Sequence, residues 1–401
     1  MEEKQNIQQL ALQLRGFAVF RALLQDEVLH GLLACADAEK NENLSRQVEC
    51  YAEFVSCLYR AGGNLGNHLL RLILESENQI VLCKAKGQPI LPAMWQCMQA
   101  ELHLCTALSA LFPADVMPAD AGVELPLWES TRHDFYDVYN ARLGNIATKG
   151  YGVFASYHVF TLGQGTRLHP VKNPDSQRLS RLTGYQRERG QILVNTQALL
   201  NGLPANNILL YGDAGTGKSS TVKALANEYH TQGLRLVEIR KDQLYQIPDL
   251  MDILAENPLT FILFIDDLSF PTDDKDFTAL KAILEGNVAA RPRNIVVYAT
   301  SNRRHLVKEN FASRQMDIHE GDTREEEASL AARFGLTITF IKPDKELYGD
   351  IVKNLAAEYE VHTPFEQLFK AAEAHALRYG GRSPRVARQF VEYWKAVEAG
   401  Q

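Results

Sequence analysis

Ile208-Leu209-Leu210-Tyr211-Gly212-Asp213-Ala214-Gly215-Thr216-Gly217-Lys218-Ser219-Ser220 is the stretch from which the rest of the chain can be read. A short apolar run leads into Gly212–Ser219, which satisfies G-x-x-x-x-G-K-[ST] at every fixed position. Glycines allow a tight turn whose backbone N–H groups converge on phosphate oxygens. Lys218 has the reach and charge for β- and γ-phosphates, and the Ser219 hydroxyl suits Mg²⁺. Val222, Leu225, Ala226 and Tyr229 recur at helical spacing just beyond, so a helix N-terminus adds the positive end of its dipole. Gly212, Asp213, Ala214, Gly215, Thr216, Gly217, Lys218, Ser219 and Ser220 are therefore the candidate residues for binding a nucleoside triphosphate, ATP, with Mg²⁺.

Working outward, short apolar runs alternate with amphipathic stretches: Ile208–Tyr211, Leu234–Ile239, Phe261–Ile265, Ile295–Ala299 and Leu336–Phe340. That alternation predicts a parallel sheet flanked by helices, an α/β core. Phe261-Ile-Leu-Phe-Ile265 ends in Asp266-Asp267. A buried strand that delivers a carboxylate at its C-terminal end is what Mg²⁺ coordination needs beside a phosphate loop. Asp266 is the candidate metal residue with Ser219, and Asp267 the candidate for polarising the attacking water.

The order of these motifs resembles the AAA+ superfamily from about Leu182 to the C-terminus. Val297-Tyr298-Ala299-Thr300-Ser301-Asn302 is similar to its first sensor motif, and the likeness assigns Asn302 to the γ-phosphate or the lytic water. Leu330-Ala331-Ala332-Arg333-Phe334-Gly335-Leu336 resembles the arginine-finger motif of replication-initiator members, which implies that Arg333 serves a neighbouring subunit's site. A guanidinium there neutralises charge developing on the transferred phosphoryl group. Gly381-Arg382-Ser383-Pro384-Arg385-Val386-Ala387 is similar to the second sensor of Holliday-junction branch-migration ATPases, with Arg385 the matching arginine and Arg388 one turn further on. The wording of these segments is closest to a bacterial group of uncharacterised AAA+ ATP-binding proteins with a domain of unknown function. Most AAA+ enzymes carry Glu where this chain has Asp267, which points to slow hydrolysis.

The predicted organisation is a helical N-terminal domain over 1–125, a linker with a strand or hairpin over 126–180, the AAA+ core over 181–342 and a helical lid over 343–401. The N-terminal region lacks proline until Pro89 and repeats apolar residues at helical spacing, as at Tyr51, Phe54, Val55 and Leu58. Tyr151, Val153, Ala155, Tyr157 and Val159 alternate and predict a strand, and His169-Pro170 through Ser176 predicts a loop.

The 401 residues are 46% hydrophobic and 23% charged, ordinary for a globular protein large enough for two or three domains. A net charge of −7 gives no general attraction to polyanions, so nucleic acid would need a local basic patch. Arg291, Arg293, Arg303 and Arg304 are the candidates for one, or for a subunit interface. The six cysteines all lie between Cys35 and Cys105 without a Cys-x-x-Cys pair, fitting buried thiols of a reducing, cytoplasmic setting. No apolar run reaches membrane-spanning length.

These readings predict an ATPase, an ATP hydrolase that acts as a homo-oligomer on an unknown protein partner, remodelling or loading it. The alternative is an ATP-gated binding or loading switch with little turnover, possibly acting on nucleic acid. A P-loop kinase fits less well with paired sensor-like arginines and a helical C-terminal lid. An unfoldase would need an aromatic pore loop where Lys241–Ile247 has none.

Overall fold

The computed structural model describes residues 6–40, 43–118, 121–268, 280, 283–284, 292–302 and 332–399. Two compact units emerge, Met1–Ser156 and Tyr157–Gln401.

The first unit is helical. Its helices are α1 (Ile7–Arg15), α2 (Glu27–Ala38), α3 (Leu44–Arg60), α4 (Leu65–Glu75), α5 (Gln79–Ala85), α6 (Pro92–Leu108), α7 (Pro113–Val116), α8 (Phe135–Gly144) and α9 (Ile146–Lys149). Side-chain oxygens cap several of them. Asn6, Asp26, Asn43, Asn64, Asn78 and Asp134 each accept a backbone N–H from the first turn they precede. The apolar stripe of α3 (Tyr51, Phe54, Val55, Leu58) is buried with Leu14, Phe20, Leu29 and Leu102 in one core. Glu101 is buried inside this unit, where its carboxylate accepts the N–H groups of Ala18, Val19 and Phe20 at 2.6, 3.1 and 2.8 Å. All six cysteines are free thiols, and burial pushes Cys35 up to about 12.

The second unit is a seven-stranded sheet with helices around it. Its elements are β1 (Val159–Leu162), β2 (Leu168–Pro170), α10 (Gln186–Leu200), β3 (Ile208–Gly212), α11 (Lys218–Tyr229), β4 (Leu234–Ile239), α12 (Ile247–Ala255), β5 (Thr260–Ile265), β6 (Ile295–Ser301) and β7 (Leu336–Phe340). The strand order is β2-β1-β4-β5-β6-β3-β7, parallel throughout except for β2, which pairs antiparallel to β1. The strand that leads into the phosphate loop, β3, therefore lies between β6 and β7, and the strand that ends in the acidic pair, β5, lies one place further across. β5 and β6 are buried along their length, as parallel strands covered on both faces must be.

A helical lid follows: α13 (Lys345–Glu358), α14 (Phe365–Arg378) and α15 (Pro384–Ala399). Tyr348, Ile351, Val352, Leu368, Ala372, Phe390 and Val391 form its core. Ser383 accepts the N–H of Val386 at 3.2 Å, and Pro384 takes the first position of α15. Among the described residues no helix is long and apolar enough to cross a membrane.

Two local expectations are corrected. The alternation over Tyr151–Val159 does not make a strand until Val159. Gly150 and Gly152 adopt φ of 66° and 55°, and Gly152–Ala155 is a 3-10 turn. Conversely, His169-Pro170 is not loop but the end of β2, where an edge position tolerates proline. Residues 126–180, expected as a linker, divide between the units: Phe135, Tyr139 and Leu143 of α8 join the first core, and β1 and β2 extend the sheet.

Candidate functional site at the phosphate loop

Gly212 closes β3 at a φ of 127°, and a Cβ placed there would lie 2.1 Å from the Phe340 carbonyl oxygen of β7. Only glycine lets the loop leave the sheet so close to its neighbour. The loop then runs into α11, whose first residue is Lys218.

Lys218 is buried, and its ammonium donates to the carbonyls of Gly212 and Asp213 at 3.0 and 2.7 Å and to Asn302 Oδ1 at 3.1 Å. Burial pulls its pKa below the ordinary lysine value, opposed by the carboxylates of Asp213, Asp267 and Asp266. Ser219 donates its hydroxyl to Asp266 Oδ1 at 2.6 Å. Asn302 donates its amide to Asp267 Oδ1 at 2.7 Å, so one side chain links the loop lysine to the second carboxylate. Asp267 holds a φ of 52°, uncommon for a residue with a side chain.

A cavity of about 430 Å³ gathers these groups. Ala214, Gly215, Thr216, Gly217, Lys218, Ser219 and Ser220 line one side, with Asp266, Asp267 and Asn302 beyond them. Arg385 and Arg388 reach it from α15 and Ile351 and Leu355 from α13, while Arg181, Leu182 and Thr183 close the remaining side. Both candidate lid arginines therefore face the cavity. Arg382 does not line it and is instead held by Glu373 through Nε and Nη2 at 2.7 and 2.8 Å.

Three expected residues do not line the cavity: Gly212 and Asp213, whose carbonyls hold the Lys218 ammonium, and Arg333, which precedes β7. Of the four arginines considered for nucleic acid, Arg293 is exposed, and Arg291, Arg303 and Arg304 lie outside the described residues.

Two further residues belong to the site. Thr300 is buried at the end of β6; its hydroxyl donates to Asp266 Oδ1 at 2.6 Å and accepts the Asp267 N–H at 2.9 Å. Arg189 of α10 lines the cavity although only 7% exposed. Its guanidinium donates to the carbonyls of Leu182, Gly184 and Thr183, gathering the segment that walls the cavity. Burial pulls its pKa down to about 10, and its Nε has no hydrogen-bond partner among the described residues.

The family described as "Protein of unknown function (DUF815)" matches residues 155–398, more than half of the chain. The chain belongs to the DUF815 family. The match begins just before β1 and runs to the end of α15, so this DUF815 member carries the whole candidate site within the family region. No curated protein matches it. Among solved structures it is similar to the Thermotoga maritima RuvB Holliday junction branch migration motor, at 15% identity and a TM-score of 0.36 over 54% of this chain and 63% of that one. A point variant of the same Thermotoga maritima protein gives 18% identity and a TM-score of 0.37 over the same shares. The chain thus spans less than two thirds of the length of the structures it matches.

Oxygen ligands supplied by one hydroxyl and one carboxylate fit Mg²⁺, which keeps several waters and takes its remaining ligands from substrate phosphates. Ser219 and Asp266, in hydrogen-bond contact, could supply such a pair. Among the described residues no group of three or more His, Cys, Asp or Glu side chains could hold a metal ion.

Proposed function

We propose that this chain binds ATP with Mg²⁺ between its phosphate loop and its lid and hydrolyses it, working as a homo-oligomer that couples nucleotide state to remodelling or loading of a protein partner. One observation carries the reading: Lys218, Ser219, Asp266, Asn302 and Arg385, expected from four separate motifs, line a single cavity. Lys218 is already desolvated and aimed at the loop carbonyls, so phosphate oxygens entering the loop would replace those carbonyls as its partners. Ser219 and Asp266 hold the metal, which when bound neutralises charge on the phosphate oxygens. Asp267 orients the attacking water, Asn302 reads the γ-phosphate, and Arg385 stabilises charge from the lid. Arg333, which does not line its own chain's cavity, acts on that of a neighbouring subunit. The test is phosphate release by wild type and by Asp266→Asn and Arg333→Ala, with subunit number measured in the presence of ATP. Loss of turnover in both variants and an ATP-dependent oligomer support the reading. A monomer whose Arg333→Ala form hydrolyses ATP at the wild-type rate sinks the shared-site part of it.

A second reading is favoured by Asp267. Its side chain is one methylene shorter than Glu, its backbone is held at a φ of 52°, and one of its carboxylate oxygens is occupied by Asn302. A chain so built acts as an ATP-gated loading switch with little turnover, and nucleic acid is one partner class for it. Rapid hydrolysis by the isolated chain would exclude the switch. Filter binding across salt concentrations tests the nucleic-acid arm, because phosphate contacts weaken steeply with salt.

A further inference from the structure

Asp213 occupies a variable position of the phosphate loop, yet its carboxylate does not face the cavity. Every polar group of this residue reaches a different part of the unit. Its N–H donates to the Phe340 carbonyl at the end of β7, at 2.9 Å. Its carbonyl accepts the Lys218 ammonium at 2.7 Å and the Thr216 hydroxyl at 2.9 Å. Its carboxylate accepts the Lys342 N–H at 2.8 Å.

Lys342 lies between β7 and α13, where the chain passes from sheet to lid. Its ammonium donates to the Gly380 carbonyl at 3.0 Å, in the turn that precedes α15. A second strand of the same connection runs directly. The Arg385 N–H, in the first turn of α15, donates to the Gly215 carbonyl at 3.2 Å. A Cβ at Gly215 would lie 3.2 Å from both Arg385 Cβ and Ser383 Oγ, so the loop and the lid approach closely there.

We infer that Asp213 and Lys342 are positioning residues that clasp the start of α15 onto the phosphate loop and so hold Arg385 and Arg388 over the cavity. The assignment rests on the ATPase reading for its purpose, but the clasp itself rests on the hydrogen bonds between loop and lid. Asp213 joins the carbonyl held by the loop lysine to the backbone of the lid's entry, two contacts within a single residue. A loop lysine that turns from the Asp213 carbonyl to a phosphate therefore alters a residue that the lid depends on.

The test uses the full chain and the variants Asp213→Ala, Asp213→Asn and Lys342→Met, first without nucleotide. Hydrogen exchange is followed in peptides covering 381–387 and, as an internal control, in peptides of α14. Asp213→Ala and Lys342→Met should speed exchange at 381–387 by about 10-fold while leaving α14 as in wild type. Asp213→Asn should behave as wild type, since the Lys342 N–H needs only an acceptor oxygen. Wild-type exchange at 381–387 in both Asp213→Ala and Lys342→Met overturns the clasp. Lys342→Met leaves the loop's own hydrogen bonds intact, so it decides the matter if Asp213→Ala loosens the whole unit. With ATP, Lys342→Met should lower kcat by about 10-fold and change KM by less than about 3-fold. An unchanged kcat in a variant whose 381–387 peptides have opened overturns the positioning role. A wild type that neither binds nor turns over ATP defeats the ATPase reading instead and leaves the exchange result standing.

Discussion

Thr300 Oγ1 lies 2.6 Å from Asp266 Oδ1 and donates a hydrogen bond to it, while the same oxygen accepts the N–H of Asp267. One threonine thus orients the carboxylate proposed for the metal and fixes the backbone of the residue beside it. Thr300→Val keeps the shape and removes both bonds. The expected outcome is a Mg²⁺ requirement for hydrolysis raised by about 10-fold, the scale of losses when a partner of a metal-holding carboxylate is removed. A magnesium titration of turnover checks it. An unchanged titration would show that Asp266 does not need this hydroxyl.

Arg189 satisfies three successive carbonyls with one planar fork, and lysine cannot reproduce that geometry. Arg189→Ala and Arg189→Lys should both destabilise the chain, the former by about 2–4 kcal/mol, because backbone carbonyls lose their partner. Chemical denaturation of the nucleotide-free protein measures this. Full rescue by lysine would mean that charge alone matters at this position.

How much of this was open to a reader of the sequence differs by residue. The phosphate loop, the five core strands and the acidic pair were legible, because short runs buried on both faces and fixed glycine spacing leave few alternatives. Thr300 stood inside a quoted motif but drew no role. Its importance comes from register: Ile265 pairs with Ala299, which brings Thr300 beside Asp266, and no spacing along the chain expresses that. Arg189 left a fainter signal. Tyr185, Arg189, Ile192, Thr196 and Leu199 follow helical spacing, so the arginine lies on the stripe that α10 buries. Position in the loop alone groups Asp213 with the phosphate contacts, whereas the turn of its carboxylate towards Lys342 depends on where β7 ends.

In the first unit Asp26 caps α2 through the N–H groups of Val28 and Leu29 and accepts His68 Nε2 at 2.9 Å. Burial pushes its carboxyl up, but the bond and charge of His68 and the two N–H groups outweigh this and hold it below the ordinary value of 3.8. A carboxyl lowered on folding stabilises the native state above its unfolded pKa, and the stabilisation is lost as pH falls through the folded one. Asp26→Asn should therefore cost about 1–2 kcal/mol at neutral pH, with the difference from wild type shrinking below about pH 4. Thermal denaturation of both proteins from neutral to acidic pH checks the sign. A gap that widens on acidification would contradict it.

Gly66 of α4 passes so close to the loop at Thr131 that an added Cβ would lie 1.8 Å from its carbonyl oxygen. Neither backbone can yield cheaply, because Asn64 also accepts the Thr131 N–H at 3.1 Å. Gly66→Ala should cost about 3 kcal/mol or more. Urea denaturation followed by the fluorescence of Trp95 and Trp128, both in this unit, reports it. A cost under about 1 kcal/mol would mean that the loop is free to move away.

Gly212–Ser219 is proposed to bind ATP with Mg²⁺ through Lys218. Calorimetric titration of ATP–Mg²⁺ into wild type and Lys218→Ala tests it most directly, because it needs neither turnover nor a partner. One site per wild-type chain is expected, with affinity reduced by about 100-fold or more in Lys218→Ala, the loss of a buried charge-assisted contact to phosphate. Equal affinity in the two proteins, or no binding by wild type, would contradict the account.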